Sequence, residues 1–144
     1  MSDTPARHIR GVLDTSTVIL LPRIEDPDAL PREPLITAVT LAELSVGPLV
    51  AMTDEERASR QAHLQQAESD FDPLPFDARA ARVFGRLAAS LRRSGRKPAA
   101  RSFDAMIAAT AVANELPLYT CNPDDFKGIS ELELVVVPTP RQEK

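Results

Sequence analysis

Short apolar runs alternate with stretches of helical periodicity along this chain, and an acid or amide stands at each junction. Gly11-Val12-Leu13 ends at Asp14 and reads as a first strand, after which Thr15 to Leu21 begins a helix. Pro22 to Pro34 holds four prolines among acidic residues and reads as a loop with little regular structure. Leu35-Ile36-Thr37-Ala38-Val39 is the second strand. Thr40-Leu41-Ala42-Glu43 begins the helix after it, with Gly47-Pro48 placed to kink or end that helix. Thr53-Asp54-Glu55-Glu56 has the form of a capping box and opens a helix to about Ser69. Asp72 to Phe76 is a short extended segment. Asp77 caps a long helix whose buried face is Ala80, Val83, Phe84, Leu87, Ala88 and Leu91, and Gly95 and Pro98 end it. Ser102 caps the next helix, with a stripe of Phe103, Met106, Ile107, Thr110 and Ala111. Leu118-Tyr119-Thr120 is a strand, Pro123 to Lys127 a helical turn, and Leu132 to Val137 the last strand.

This alternation is the signature of an α/β fold with a mostly parallel sheet. One domain is expected over residues 1–144, with 1–9 a loose leader and 138–144 a loose tail. Ligands of such sheets bind outside the carboxyl ends of the strands, where strand order reverses. Asp14, Glu43 and Asn122 each follow a strand, and Asp104 lies in the first turn of a helix that could face the same edge. A crevice of carboxylates binds hard divalent cations, which points to phosphodiester chemistry.

Composition changes this picture only at its margins. The apolar content of 43% and charged content of 26% are ordinary for a globular protein. The apolar run Val18 to Leu21 is far too short to span a membrane, and Met1 to Pro5 does not begin a secretory signal. A single cysteine, Cys121, cannot form an internal disulfide, so a cytoplasmic location is expected. The net charge of −4 argues against non-specific coating of nucleic acid. Basic residues nevertheless concentrate between Arg92 and Arg101, just before Asp104, and Arg93, Arg96 and Arg101 could hold flanking phosphates. His8 and His63 have no metal-ligand partners at useful spacing, and Gly11 and Gly47 belong to no phosphate loop. Cys121 has no neighbour to activate it and reads as a small buried side chain.

Each acid also has a local explanation. Asp14 could simply cap the helix that follows it. Thr40 and Glu43 make a capping box by themselves, a role that competes for the oxygens a cluster would need. Asp104 suits the positive end of its helix but lies off the apolar stripe, close to Ala108 and Ala111. Asn122 and Asp125 frame an Asn-Pro turn, and Asp124 reads as solvent-facing.

Four segments taken in order resemble the PIN-domain ribonucleases, and specifically the VapC toxins of bacterial type II toxin–antitoxin systems. They are Leu13-Asp14-Thr15-Ser16, Thr40-Leu41-Ala42-Glu43-Leu44, Phe103-Asp104-Ala105-Met106-Ile107-Ala108-Ala109-Thr110-Ala111, and Leu118-Tyr119-Thr120-Cys121-Asn122-Pro123-Asp124-Asp125-Phe126. The resemblance implies a PIN-like three-layer α/β/α fold and an endoribonuclease dependent on Mg2+ or Mn2+. It makes Asp14, Glu43 and Asp104 an acidic triad, with Asp14 and Asp104 the direct metal ligands. The family's fourth acidic position falls on the amide Asn122, with Asp125 a second acid of that segment, which leaves open whether one ion or two would bind. Thr15 and Ser16 would lie against the RNA substrate. In-line attack by water, oriented by Glu43 or Asp125, would leave a 5′-phosphate and a 3′-hydroxyl. A VapB-like antitoxin covering the crevice and a homodimer are further implications.

Three other readings compete. A haloacid-dehalogenase-type phosphatase needs a second Asp two residues after the first, where this chain has Ser16. A response-regulator receiver needs adjacent acids after its first strand, where Thr15-Ser16 stands. A PIN-like module that kept the fold and lost the metal is favoured by Asn122 alone.

Overall fold

The computed structural model describes residues 9–95 and 102–140. Its strands are β1 (Arg10–Leu13), β2 (Glu33–Leu35), β3 (Leu118–Thr120) and β4 (Leu134–Val136). They form one sheet in the order β2-β1-β3-β4, and every pairing is parallel. The chain goes from β1 to one side for β2 and returns to the other side for β3. Strand order therefore reverses between β1 and β3. The helices are α1 (Thr15–Leu20), α2 (Ala38–Leu49), α3 (Asp54–Asp70), α4 (Ala78–Arg93) and α5 (Ser102–Ala113).

Successive strand residues point to opposite faces, and this builds two cores. Val12 and Leu118 face one core with Ala80, Val83 and Leu87 of α4 and Ile107, Ala108 and Ala111 of α5. Leu13 and Tyr119 face the other with Val18 of α1 and Ala67 of α3. Helix α2 contributes Val39 to the first core and Leu44 to the second. The result is the three-layer α/β/α arrangement. Gly11 has no room for a side chain, because a Cβ there would stand 2.6 Å from the ring of Tyr119. Among the described residues no helix is long and apolar enough to cross a membrane.

The expected elements are present, with shifted boundaries. The second strand lies earlier, at Glu33–Leu35, and the following helix begins at Ala38. Pro34 is tolerated because β2 is an edge strand that pairs only with β1. The extended run continues through Ile36 and Thr37, where Leu74 N–H donates to Ile36 O and Ala38 N–H donates to Leu74 O. Thr37 then caps α2 by accepting from Thr40 N–H at 3.1 Å. The capping box expected of Thr40 and Glu43 is therefore not the start of this helix. The segment Pro22 to Pro34 is more regular than expected, since Pro22 and Pro27 lie in the first turns of two 3-10 turns, Leu21–Arg23 and Pro27–Ala29. Pro48 lies buried inside α2, which ends one residue later.

Thr53 caps α3 through Glu56 N–H, but the Glu56 carboxylate reaches back to Met52 N–H instead of closing the box on Thr53. Asp77 caps α4 by accepting from Ala80 N–H at 3.0 Å, and α4 buries the face read from its periodicity. Asp77→Ala is expected to cost about 1 kcal/mol, the ordinary value of an N-cap, in a urea melt. Ser102 is the first helical residue of α5 and not the residue before it, and Phe103 is exposed instead of joining a stripe. From Ala105 onward α5 is buried nearly all round, because its alanines let neighbours approach on several sides. Of the expected loose ends, 1–8 and 141–144 lie outside the described residues, while the Thr139 hydroxyl donates to Cys121 O.

Candidate active site

Asp14 stands at the carboxyl end of β1, where strand order reverses. It is 3% exposed. Its backbone N–H donates to Tyr119 O of β3, which holds it against the neighbouring strand. Its Oδ1 accepts from Thr17 N–H at 3.2 Å and from the Thr17 hydroxyl. Its Oδ2 accepts from the Thr120 hydroxyl at 2.8 Å and the Ser16 hydroxyl at 3.1 Å. Four donors thus meet one buried carboxylate, about the number of its lone-pair sites. The capping reading of Asp14 is borne out by the Thr17 N–H bond, and the Thr120 bond, from 106 residues away, ties the same carboxylate to β3.

Asn122 belongs to the same network. Its Nδ2 donates to Ser16 Oγ at 3.0 Å, and its backbone N–H donates to Thr120 Oγ1 at 2.9 Å. A second network begins one residue after Asp14. The Thr15 hydroxyl donates to Glu43 Oε1 at 2.7 Å and lies 3.0 Å from Thr40 Oγ1. Glu43 sits in the second turn of α2 and is half-buried. Because Thr37 provides the helix cap, the Glu43 carboxylate is turned to α1 instead of back to its own helix. Three consecutive residues at the start of α1 therefore carry contacts to two other segments of the sequence: Thr15 to Glu43 of the second, and Asp14 and Ser16 to Thr120 and Asn122 of the fourth.

Asp104 lies half-buried in the first turn of α5. Asp125 is half-buried in the 3-10 turn Pro123–Phe126, and its N–H donates to Asn122 O. Asp124 is solvent-facing as expected and pairs with Lys127 at 3.1 Å. Arg93 is exposed in the last turn of α4, while Arg96 and Arg101 lie outside the described residues. Cys121 is buried, as expected, and burial pushes its thiol up from the ordinary range.

Sequence reasoning named the acids and missed the hydroxyls that hold them. Thr17, Thr40 and Thr120 are fully buried, and each bonds within these networks. The available signal was the run Thr15-Ser16-Thr17 directly after Asp14, since Ser and Thr readily bond a nearby carboxylate or backbone group.

The donor set is entirely oxygen and amide, the chemistry that Mg2+ and Mn2+ prefer. Among the described residues no three His, Cys, Asp or Glu side chains gather as a metal-holding group. Mg2+ does not need one, because it is usually bound by one or two carboxylates with water and substrate phosphate. Asp14 and Asp104 are the carboxylates the sequence offers for that role, and at Asp14 an ion would replace the Ser16 or Thr120 hydroxyl on Oδ2.

A parallel α/β/α sandwich with acids at its switch point is the class of the PIN domain. The PIN-domain family model matches residues 12–132, and the chain belongs to that family. Within it the chain is similar to proteins named VapC. Ribonuclease VapC5 of Mycobacterium tuberculosis is 42% identical over 142 residues, covering 95% of this chain and 100% of that protein. Ribonuclease VapC of Rickettsia bellii is 30% identical, covering 88% of this chain and 96% of the relative. Among solved structures, a member of the VapBC family of toxin-antitoxin systems, VapBC-5 from M. tuberculosis, superposes with a TM-score of 0.76 at 38% identity. That match covers 90% of this chain and 99% of the other.

Proposed function

We propose that this chain is an endoribonuclease toxin of the VapC kind, neutralised by a cognate VapB-like antitoxin and dependent on Mg2+ or Mn2+. The observation that carries the reading is the buried Asp14 carboxylate, held at the sheet's switch point beside Glu43 and Asn122. The relatives are named ribonucleases, and their solved counterparts are toxin-antitoxin complexes.

Asp14 and Asp104 would hold the ion. When bound, it would supply positive charge to the scissile phosphate and acidify a water. The chain's own residues do the rest. Asp14 is oriented by Thr17 on Oδ1, which leaves Oδ2, held by the Thr120 and Ser16 hydroxyls, as the oxygen to meet the ion. Glu43, anchored by Thr15, orients the attacking water and takes up its proton, with Asp125 the other carboxylate available for that water. Asn122 offers an amide where the family carries an acid, which lowers the negative charge available to a second ion. Thr15 and Ser16, next to Asp14, and Arg93, Arg96 and Arg101, before Asp104 in sequence, would hold substrate phosphates. In-line hydrolysis leaves a 5′-phosphate and a 3′-hydroxyl. A cytoplasmic homodimer completes the reading.

The test is cleavage of structured RNA by the purified chain. We expect cutting in Mg2+ or Mn2+, none after chelation, recovery when the ion is returned, and inhibition by the antitoxin. Full-rate cleavage in excess chelator would remove the metal from the mechanism. No cleavage under either ion, with no ion binding by calorimetry, would favour the inert PIN-like module.

A further inference from the structure

We propose that Thr17 is a positioning residue whose buried hydroxyl fixes the Asp14 carboxylate and locks it to the turn that carries Asn122. Thr17 is fully buried. Its backbone N–H already caps Asp14 Oδ1, and any residue at this position would supply that bond. The hydroxyl adds what a cap does not need. It donates to the same Oδ1 and accepts from Cys121 N–H at 3.0 Å. One hydroxyl therefore uses its proton on the end of β1 and a lone pair on the exit of β3, where Cys121 stands 104 residues beyond Thr17 in sequence.

The consequences follow from the geometry. The two hydrogen bonds of the hydroxyl, one given and one accepted, select one χ1 rotamer of Thr17, so the hydroxyl is a fixed point. Pinning Oδ1 directs Oδ2 to Thr120 and Ser16, and through Ser16 to Asn122. Removing the hydroxyl takes one of four donors from Asp14 and leaves a buried Cys121 N–H without its acceptor. The carboxylate can then rotate, and the Asn122 turn can move relative to it. Small displacements of this kind lower turnover without removing any group that touches substrate.

The turnover part of this proposal rests on the ribonuclease reading, so the test has two arms. Thr17→Val keeps the branched shape and deletes the hydroxyl, while Thr17→Ser keeps the hydroxyl and deletes the methyl. Thr17→Val is expected to lower kcat for RNA cleavage by about 10-fold or more with KM unchanged, and Thr17→Ser to restore kcat to within about 3-fold of wild type. Asp77→Ala, which destabilises the chain away from the site, controls for lowered stability and keeps wild-type kcat. In the second arm, native-state hydrogen exchange reads the Cys121 amide, which loses protection relative to its neighbours in Thr17→Val and keeps it in Thr17→Ser. Wild-type kcat in Thr17→Val, or an equally protected Cys121 amide in that variant, overturns the proposal. So does a fall in kcat that follows melting temperature across all three variants. If the wild-type chain cuts no RNA, that failure belongs to the functional reading, and the exchange arm still decides whether the lock exists.

Discussion

Asp14→Asn is expected to abolish RNA cleavage, lowering kcat by roughly 10³-fold, while the chain remains folded. The substitution removes the charge at the switch point but keeps the shape. It also keeps most of the hydrogen bonds, for a reason specific to this site. Thr17 N–H can only donate, so the amide oxygen of Asn must face it. The amide nitrogen then faces the hydroxyls of Ser16 and Thr120, and hydroxyls can turn to accept. Asn is also as good an N-cap as Asp. The loss of charge assistance should cost at most about 2 kcal/mol of stability. Gel analysis of RNA ends beside a thermal melt makes the check. Cleavage at a tenth of the wild-type rate or better would show that the charge on Asp14 is not the essential one.

Ile107→Ala is the largest stability effect expected, a loss of about 2–5 kcal/mol. Ile107 is fully buried in α5 and packs with Val12 of β1 and Leu118 of β3, the two strands that flank the switch point. The neighbouring alanines of α5 are too short to fill the space its side chain would leave. A drop of roughly 10 °C or more in the melting temperature is the corresponding observation. Below that transition the variant should still cleave RNA, because Asp14 and its donors belong to other elements, at a rate lowered only as far as Asp104 shifts with α5. A shift within 2 °C would mean that α5 relaxes into the gap.

The two variants separate what holds the site from what acts in it. Asp14→Asn changes the chemistry with a modest change in stability, and Ile107→Ala acts mainly on stability. Asp104 lies on the same helix as Ile107, three residues before it, so the packing of α5 also sets where that carboxylate stands.

Much of the fold was legible in the sequence, and the reasons are local. The face of α4 was readable because its apolar positions recur at helical spacing and Asp77 supplies an unambiguous cap. Strand β3 was readable because Leu118-Tyr119-Thr120 is a short apolar run after a proline. The second strand was misplaced because Pro34 discourages a strand assignment, and only its position at the sheet edge makes it acceptable. The stripe on α5 was misread because a helix buried on nearly all sides has no single apolar face to reveal.

The sequence by itself determined the alternation of strands and helices, the acids at their junctions and the order of the four segments. These are properties of residue type and spacing along the chain. Only the tertiary structure showed which partners Asp14 and Glu43 take. Glu43 was freed from a capping box because Thr37, three residues before Thr40, takes the cap once the extended segment pairs with Leu74. Asp14 caps α1 and is also bonded by Thr120, from a strand more than a hundred residues away. Hydrogen bonds across such separations depend on how β1 and β3 come to lie side by side, and no local pattern records that pairing.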